Sequence, residues 1–369
     1  MKEINIAEVL VSKRKEKQIT QEELAYFIGV SKASVSKWET GQSYPDVTFL
    51  PQLASYFNIS IDELIDYKPQ MGKKEIRELY HKLSNDFTVK PFEAVIEDCR
   101  QIIKKYYSCF PLLLQMGTLI LNHIELVKDP QKSAELIAEA KDLFIRVKQE
   151  SREGQLIRQS VFMEALCSLA AQKPEYVLEL LEDTVAPALP PEVILSSAYQ
   201  MLDRKDDAKA VLQVGIYQDL VTLFNFFPNY LLLCTDKPLK FEEVLRRARN
   251  MADDFDLKHL HPGVLVGLYI AAAQGYMMQG SHENALHMLQ EYTEIVTGDI
   301  YPLKLHGDSF FDLLEGWLDK LDLGTDLPRD ERTIRKSMAD VILLNPQFEV
   351  FSEEPQYHRI REKLTQNIK

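Results

Sequence analysis

Between Gly29 and Gly41 the chain reads GVSKASVSKWETG. Two ammonium-bearing side chains, Lys32 and Lys37, are set among the small side chains of Ala33, Ser34 and Ser36, and two apolar residues, Val35 and Trp38, recur three apart. In a helix over Lys32–Thr40 that spacing turns Val35 and Trp38 inward and leaves Lys32, Ala33, Ser36 and Lys37 outside. Small side chains let the backbone come close to a polar surface, and two lysines can donate to guanine acceptors or to phosphate oxygens. About nine residues at 1.5 Å each span roughly 13 Å, against a DNA major groove about 12 Å wide. The chemistry available to this stretch is recognition of a duplex rather than bond-making.

The elements that must hold such a helix can be read from capping residues. In ITQEEL, Thr20 is an N-cap answered by Glu23, with Ile19 and Leu24 as a hydrophobic staple. ISIDEL repeats the device with Ser60, Glu63, Ile59 and Leu64. In VSKASV, Ser31 caps and Val30 staples to Val35, but Ser34 stands where the box needs a glutamate. Gly29, between the helices begun at Thr20 and Ser31, supplies the positive φ of a tight helix-turn-helix connection. Ile6, Val9 and Leu10 give an earlier helix ending in KRKEK (Lys13–Lys17), whose charges are expected on a solvated face. Leu50, Leu53, Ala54 and Phe57 give a later one starting near Thr48, with Pro51 in its first turn. Five short helices are expected in fewer than seventy residues.

The pattern T-Q-E-E-L-A-x-x-x-G-V-S-x-x-x-V-S-x-W-E-x-G from Thr20 to Gly41, continued by S-Y-P-D and I-S-I-D-E-L-I, resembles the phage-repressor/Cro helix-turn-helix family over about residues 4–67. The resemblance implies that Lys32, Ala33 and Lys37 occupy base-reading positions. It implies phosphate contacts for Gln21, Ser34 or Ser36, and for Gln42 and Tyr44 in the following loop; Ser31, at the cap, belongs to the same DNA-facing set. Trp38 is implied as packing and Glu39 as orienting a basic neighbour such as Arg14. Several relatives carry glutamine or asparagine where this chain has Lys32, Ala33 and Lys37, so an adenine-reading rule does not transfer.

Beyond Tyr67 the composition changes. Residues 68–75, with Pro69, Gly72 and three lysines, read as a linker between a domain over 1–67 and a helical domain over 76–369. Tyr269–Tyr292 places Tyr276, Gly280, Ala285, Leu289 and Tyr292 in a pattern that resembles the tetratricopeptide repeat. Ala198–Gln213 and Ala165–Asp183 follow it, and Lys240–Met251 and Gln131–Phe144 read as further second helices. Taking Ala134, Val177, Ala208, Val244 and Ala285 as equivalents gives steps of 43, 31, 36 and 41 residues, so the array is irregular. Asn345–Leu364 is expected to cap the last apolar face. The fold class read is all-α: an N-terminal five-helix repressor-type helix-turn-helix domain followed by an irregular tetratricopeptide-like α-solenoid.

Stacked helix pairs curve into a groove that accepts a peptide or a helix. A repressor-type reader joined to such repeats resembles the peptide-sensing RRNPP regulators of Gram-positive bacteria. That resemblance implies dimerisation through the repeats and a peptide ligand, with Asn122, Asn225, Asn229, Gln200, Tyr269 and Gln274 as groove candidates. Each of the six has an ordinary alternative as a cap or satisfied amide. One reading head neutralises few phosphates, so a homodimer on a double-stranded operator with half-sites about 34 Å apart is expected. The rival expectation is an adaptor or antitoxin-like protein whose repeats hold a protein partner, the DNA-binding module serving autoregulation.

Other chemistries find little support. The sequence has no Walker loop, no G-x-S-x-G and no H-E-x-x-H, so no enzyme, cofactor or metal is expected. His259-x-His261 precedes Pro262 and reads as a loop or cap pair. Cys99, Cys109, Cys167 and Cys234 lie far apart without C-x-x-C, which suits buried thiols in a reducing cytoplasm. Glu3 and Glu8 precede any apolar run, which reads against a secretory signal, and the apolar run around Val264–Ala273 is short for a membrane span. A net charge of −13 argues against a chain coated in nucleic acid. Residues 1–69 carry eight basic and ten acidic side chains, a net of only −2, so a small DNA-reading face remains compatible with it.

Overall fold

The computed structural model describes residues 4–67, 70–184 and 190–368; Glu3 and the linker residues Lys68 and Pro69 lie outside them. Contacts divide the chain into two units, residues 1–72 with 102–113, and residues 73–101 with 114–369.

The first unit opens with α1 (Ile6–Glu16), α2 (Gln21–Ile28), α3 (Lys32–Glu39), α4 (Leu50–Phe57) and α5 (Ile61–Leu64), the five helices that capping chemistry and apolar spacing call for. Both capping boxes form: the Thr20 hydroxyl accepts the Glu23 N–H at 3.2 Å and the Glu23 carboxylate accepts the Thr20 N–H at 2.7 Å, and Ser60 and Glu63 do the same at 3.1 and 2.7 Å. Ser31 accepts the Ser34 N–H at 3.1 Å without a return bond. Gly29 ends α2 at φ +80°, its N–H on the Ala25 carbonyl at 2.9 Å. Beyond a 3₁₀ turn, Val47–Phe49, α4 begins at Leu50, slightly later than the sequence implies, with Pro51 in its first turn. Leu10, Leu24, Val35, Leu53 and Leu64 are fully buried in one core with Ile6, Ile28, Trp38 and Phe57. Past α5, the Gln70 amide donates to the Ser108 carbonyl at 3.1 Å and the Met71 N–H to Cys109 Sγ at 3.4 Å.

The chain continues through α6 (Lys73–Val89), α7 (Phe92–Lys105), α8 (Phe110–Asn122), α9 (Pro130–Glu150), α10 (Gly154–Ala170) and α11 (Pro174–Leu181). Next come α12 (Pro191–Met201), α13 (Lys205–Leu233), α14 (Pro238–Asp254), α15 (Leu257–Leu260), α16 (Pro262–Met278) and α17 (His282–Val296). After α18 (Glu315–Leu318), α19 (Glu331–Leu343) and α20 (Pro355–Asn367) close it. Short turns pair α9 with α10, α10 with α11, α12 with α13 and α16 with α17, while α13 packs on α16 and α20 on α17 and α19. This is the irregular solenoid of helix pairs that the repeat spacing implies. The α16–α17 turn is made at Gly280, φ +72°, beyond which the Ser281 N–H bonds back to the Tyr276 carbonyl at 2.8 Å. Ala285, Leu289 and Tyr292 are buried against α16, and Tyr357, Ile360 and Leu364 of α20 complete the core.

Between α9, α10 and α11 a charge is buried: Glu164, with a fully enclosed side chain, accepts from Lys148 Nζ and from the Tyr176 hydroxyl, each at 2.6 Å. α13 is the described helix long and apolar enough to cross a membrane by length and composition, a property the shorter run at Val264–Ala273 does not have. Pro228 lies inside it, it packs on α12, α14 and α16, and only 22% of its most apolar stretch is buried.

One stretch departs from the helical expectation. Residues 297–330 hold only the four-residue α18 and an isolated antiparallel bridge between Lys304 and Asp326. Gly298, Gly307, Gly324, Pro302 and Pro328 interrupt any helical period there. The segment is tied down by polar bonds instead. Gln213 donates to the Phe310 carbonyl at 2.9 Å and accepts the Leu313 N–H at 2.9 Å. Arg77 donates to the carbonyls of Asp319, Leu321 and Asp322.

Candidate nucleic-acid interface

α3 presents its lysines because its apolar residues have somewhere to go. Val35 is fully buried and Trp38 is 5% exposed, its ring 5.9 Å from Phe49. The opposite side carries Ser31, Lys32, Ala33 and Lys37, all exposed, with Ser34 and Ser36 partly covered. The loop after α3 folds back, with the Gln42 N–H on the Lys37 carbonyl at 2.9 Å, and leaves the Gln42 and Tyr44 side chains in solvent. Lys32, Ala33, Lys37, Gln42 and Tyr44 therefore belong to one turn-and-helix element. Ser31 and Ser34 are partly committed, their hydroxyls 2.9 Å apart beneath the cap.

A network of charge fixes α3 against α1 and α2. Arg14 of α1 donates to Glu39 through Nε at 2.6 Å and Nη2 at 3.0 Å, and its Nη1 donates to the Ile19 carbonyl at 2.8 Å. Gln21, in the first turn of α2, donates to the same carboxylate at 2.9 Å. Hydrogen bonding to Glu39, with its charge, raises the Arg14 guanidinium above its ordinary value against a smaller effect of burial. Glu39 thus orients Arg14, as the repressor-type resemblance implies, and Gln21 is held beside the N-terminal N–H groups of α2, where a helix end favours a phosphate.

Two features of this face were not read from sequence. Glu22 Oε2 accepts from Lys32 Nζ at 3.4 Å, a pair ten residues apart that no helical spacing announces. Tyr26, on α2, is 90% exposed; a tyrosine among apolar residues in YFI gives no hint of which way it points.

The groove candidates of the second unit lie on α8 (Asn122), α12 (Gln200), α13 (Asn225, Asn229) and α16 (Tyr269, Gln274). Asn122 donates to the Tyr80 hydroxyl at 2.9 Å and Gln200 to the Ser196 hydroxyl at 3.2 Å, which are ordinary satisfying roles. Asn225 and Asn229 lie exposed one turn apart on α13, and Gln274 is half-buried on α16. Tyr269 is buried and lines a cavity of about 310 Å³ between α14, α16 and α17, with Arg249, Asp253, Glu291 and Glu294. His259 bonds Asp256 at 2.7 Å, and His261 takes the cap position before α16. Among the described residues no three His, Cys, Asp or Glu side chains are grouped to hold a metal ion. All four cysteines are buried and free.

These features define the N-terminal helices as a repressor-type helix-turn-helix domain. Residues 10–64 match the family described as Helix-turn-helix. Over 58 residues the chain is 41% identical to the HTH-type transcriptional activator BcrR of Enterococcus faecalis; the match takes in 16% of this chain and 28% of that relative's length. Among solved structures, the apo form of the competence regulator ComR from Streptococcus vestibularis aligns over 87% of this chain and 99% of its own, at 13% identity and a TM-score of 0.28. Bacillus thuringiensis PlcR, in complex with the peptide PapR7 and DNA, aligns over 97% and 98%, at 15% identity and a TM-score of 0.24.

Proposed function

We propose that this protein is a cytoplasmic transcriptional regulator that reads a palindromic DNA operator as a homodimer and whose helical-repeat domain receives a peptide or protein effector. The observation that carries the reading is the amphipathic division of α3: Val35 and Trp38 anchored in the core, Lys32, Ala33 and Lys37 exposed on the outside. In this reading Lys32, Ala33 and Lys37 face base edges. Gln21, Ser31, Ser34, Ser36, Gln42 and Tyr44 set the register on phosphates. Residues 1–67 act as the reading domain and 76–369 as the dimerising, sensing one, joined through 68–75. Support for a second chain comes from α10, where Phe162, Leu166 and Leu169 form an exposed apolar stripe at helical spacing. Tyr269 and the exposed Asn225 and Asn229 remain the effector candidates, with Asn122, Gln200 and Gln274 assigned lesser parts.

Selection of genomic DNA fragments by the purified full chain at fixed salt, beside the Lys32→Ala/Lys37→Ala double variant, tests the proposal. An inverted repeat enriched by the wild type alone is expected. Equal enrichment by the folded double variant would sink the assignment of α3.

A further inference from the structure

Between α6, the segment 301–304 and the start of α19 lies a cavity of about 260 Å³. Two buried polar atoms on residues lining it, Asp330 Oδ2 and His81 Nε2, have no hydrogen-bond partner among the described residues. The other charged groups of the lining are committed. Lys304 pairs with Asp326 at 3.2 Å, Arg329 with Glu125, and Glu331 with Arg335 at 2.7 Å. Asp330 spends only one oxygen: Oδ1 accepts the Thr333 N–H at 3.0 Å as the N-cap of α19. His81 Nε2 stands 3.7 Å from Asp326, beyond hydrogen-bond distance. Leaving a buried carboxylate oxygen unpaired is costly, and a donor of opposite charge removes that cost. The lining holds three carboxylates (Asp326, Asp330, Glu331) against two permanent cations (Lys304, Arg329), so the missing charge is positive. The rest of the wall sets the apolar Pro302, Leu303, Leu327 and Ile334 beside Ser84, Asn85 and Tyr301.

We propose that this cavity binds a small primary ammonium compound with a short apolar body, its ammonium on Asp330 Oδ2 and its body against Pro302, Leu327 and Ile334. The volume lies just under the roughly 300–1,000 Å³ of sites for drug-sized ligands, which sets the occupant at one amino acid or one amine rather than a peptide. Two sources share this chemistry. A free branched amino acid would also place its carboxylate on His81 Nε2, whereas a simple amine would leave that atom unused. The lining shares no residue with the DNA-reading face or with the effector candidates on α13 and α16, and the site stands or falls independently of them.

The test is ligand-observed saturation-transfer NMR on the full chain with leucine, 3-methylbutylamine and N-acetylleucine. Transfer to leucine or to the amine, with none to N-acetylleucine, is expected. Asp330→Asn keeps Oδ1 for Thr333 but removes the charge, and weakens binding about tenfold or more, as loss of a hydrogen bond to a charged group does. His81→Gln weakens leucine alone if the carboxylate is used, and neither compound if the amine is the occupant. Three results would each overturn the proposal: no transfer to either ammonium compound, equal transfer to N-acetylleucine, or undiminished transfer in Asp330→Asn. The wild-type comparison with N-acetylleucine decides even if a variant misfolds.

Discussion

Arg14 and Glu39 meet from α1 and the end of α3 through two hydrogen bonds of 2.6 and 3.0 Å, with side chains only 15% and 4% exposed. The pair and Gln21 join three helices around one carboxylate, so the orientation of α3 depends on a buried residue rather than on its exposed lysines. Removing one partner of a buried pair leaves the other charge uncompensated, which costs about 3–5 kcal/mol in fully buried cases. Glu39→Ala is expected near the lower end, about 3 kcal/mol, because Arg14 retains some water and its bond to Ile19. Urea unfolding followed by Trp38 fluorescence, in a Trp317→Phe background that silences the second tryptophan, reads the loss. An unchanged midpoint would show that the network contributes nothing to the domain.

Glu22 lies 3.4 Å from Lys32, with both side chains largely exposed. Exposed pairs are worth about 0.2–1 kcal/mol, so Glu22→Gln, which releases Lys32 and removes a negative charge from the proposed DNA-facing side, is expected to tighten DNA binding a few-fold. The salt dependence separates the roles of the two lysines. A lysine that neutralises one phosphate steepens the fall of log K with log salt by about 0.9, and its removal takes that much from the slope. A lysine that reads a base changes affinity for the operator far more than for random DNA. Fluorescence anisotropy across a salt series with Lys32→Ala and Lys37→Ala measures both; slopes and affinities equal to wild type would remove these residues from the interface.

The sequence was most informative where a local rule settles the structure. Thr20, Ser60 and Gly29 act within four residues of themselves, apolar periodicity is enough to place Val35 and Trp38, and the resemblance to the tetratricopeptide repeat places the paired α16 and α17. It was least informative where partners are distant. The bond of Asn122 to Tyr80 and the pairing of Glu22 with Lys32 depend on tertiary placement, so a candidate ligand residue and a satisfied amide look alike in sequence. Residues 297–330 escaped the helical reading for a related reason. Their order comes from Gln213 and Arg77, remote side chains that bond to loop backbone, while Gly298, Gly307 and Pro302 announce only that a helix cannot run through.

The capping boxes give the first domain a dependence on acid. Hydrogen bonds from the Thr20 backbone and hydroxyl hold Glu23 below its ordinary value of 4.5, and those from Ser60 do the same for Glu63. A carboxylate with a depressed folded pKa adds stability that is fully present above the unfolded value and is lost as pH falls through the folded one. The domain is therefore expected to lose stability below about pH 4.5, when glutamates of the unfolded chain begin to bind protons that the folded ones resist. Glu23→Gln/Glu63→Gln removes both titrations while leaving an acceptor in each box. Melting followed at Trp38 between about pH 3 and 6 should show a shallower fall in that variant; parallel curves would assign the acid sensitivity to other groups.

Gly275 sits on α16 where α14 crosses it, and a Cβ added there would overlap Cε2 of Phe241 and stand 2.7 Å from its Cζ. Two effects oppose each other on Gly275→Ala. Helix propensity favours alanine by about 1 kcal/mol, whereas overpacking a filled core costs about 1–3 kcal/mol. Phe241 is fully buried and packs edge-on to Tyr276, whose hydroxyl is bonded to Glu242 at 2.8 Å, so the ring has no room to swing aside. Overpacking should win, and Gly275→Ala should lower the melting temperature of the helical domain. The decisive comparison is a double-mutant cycle with Phe241→Leu, which shortens the obstructing side chain. If the close approach is the cause, alanine at 275 becomes neutral or stabilising in the Phe241→Leu background and the two changes are strongly non-additive. Additive losses would place the cost elsewhere in α16 and would mean that the close approach of α14 does not depend on glycine at this position.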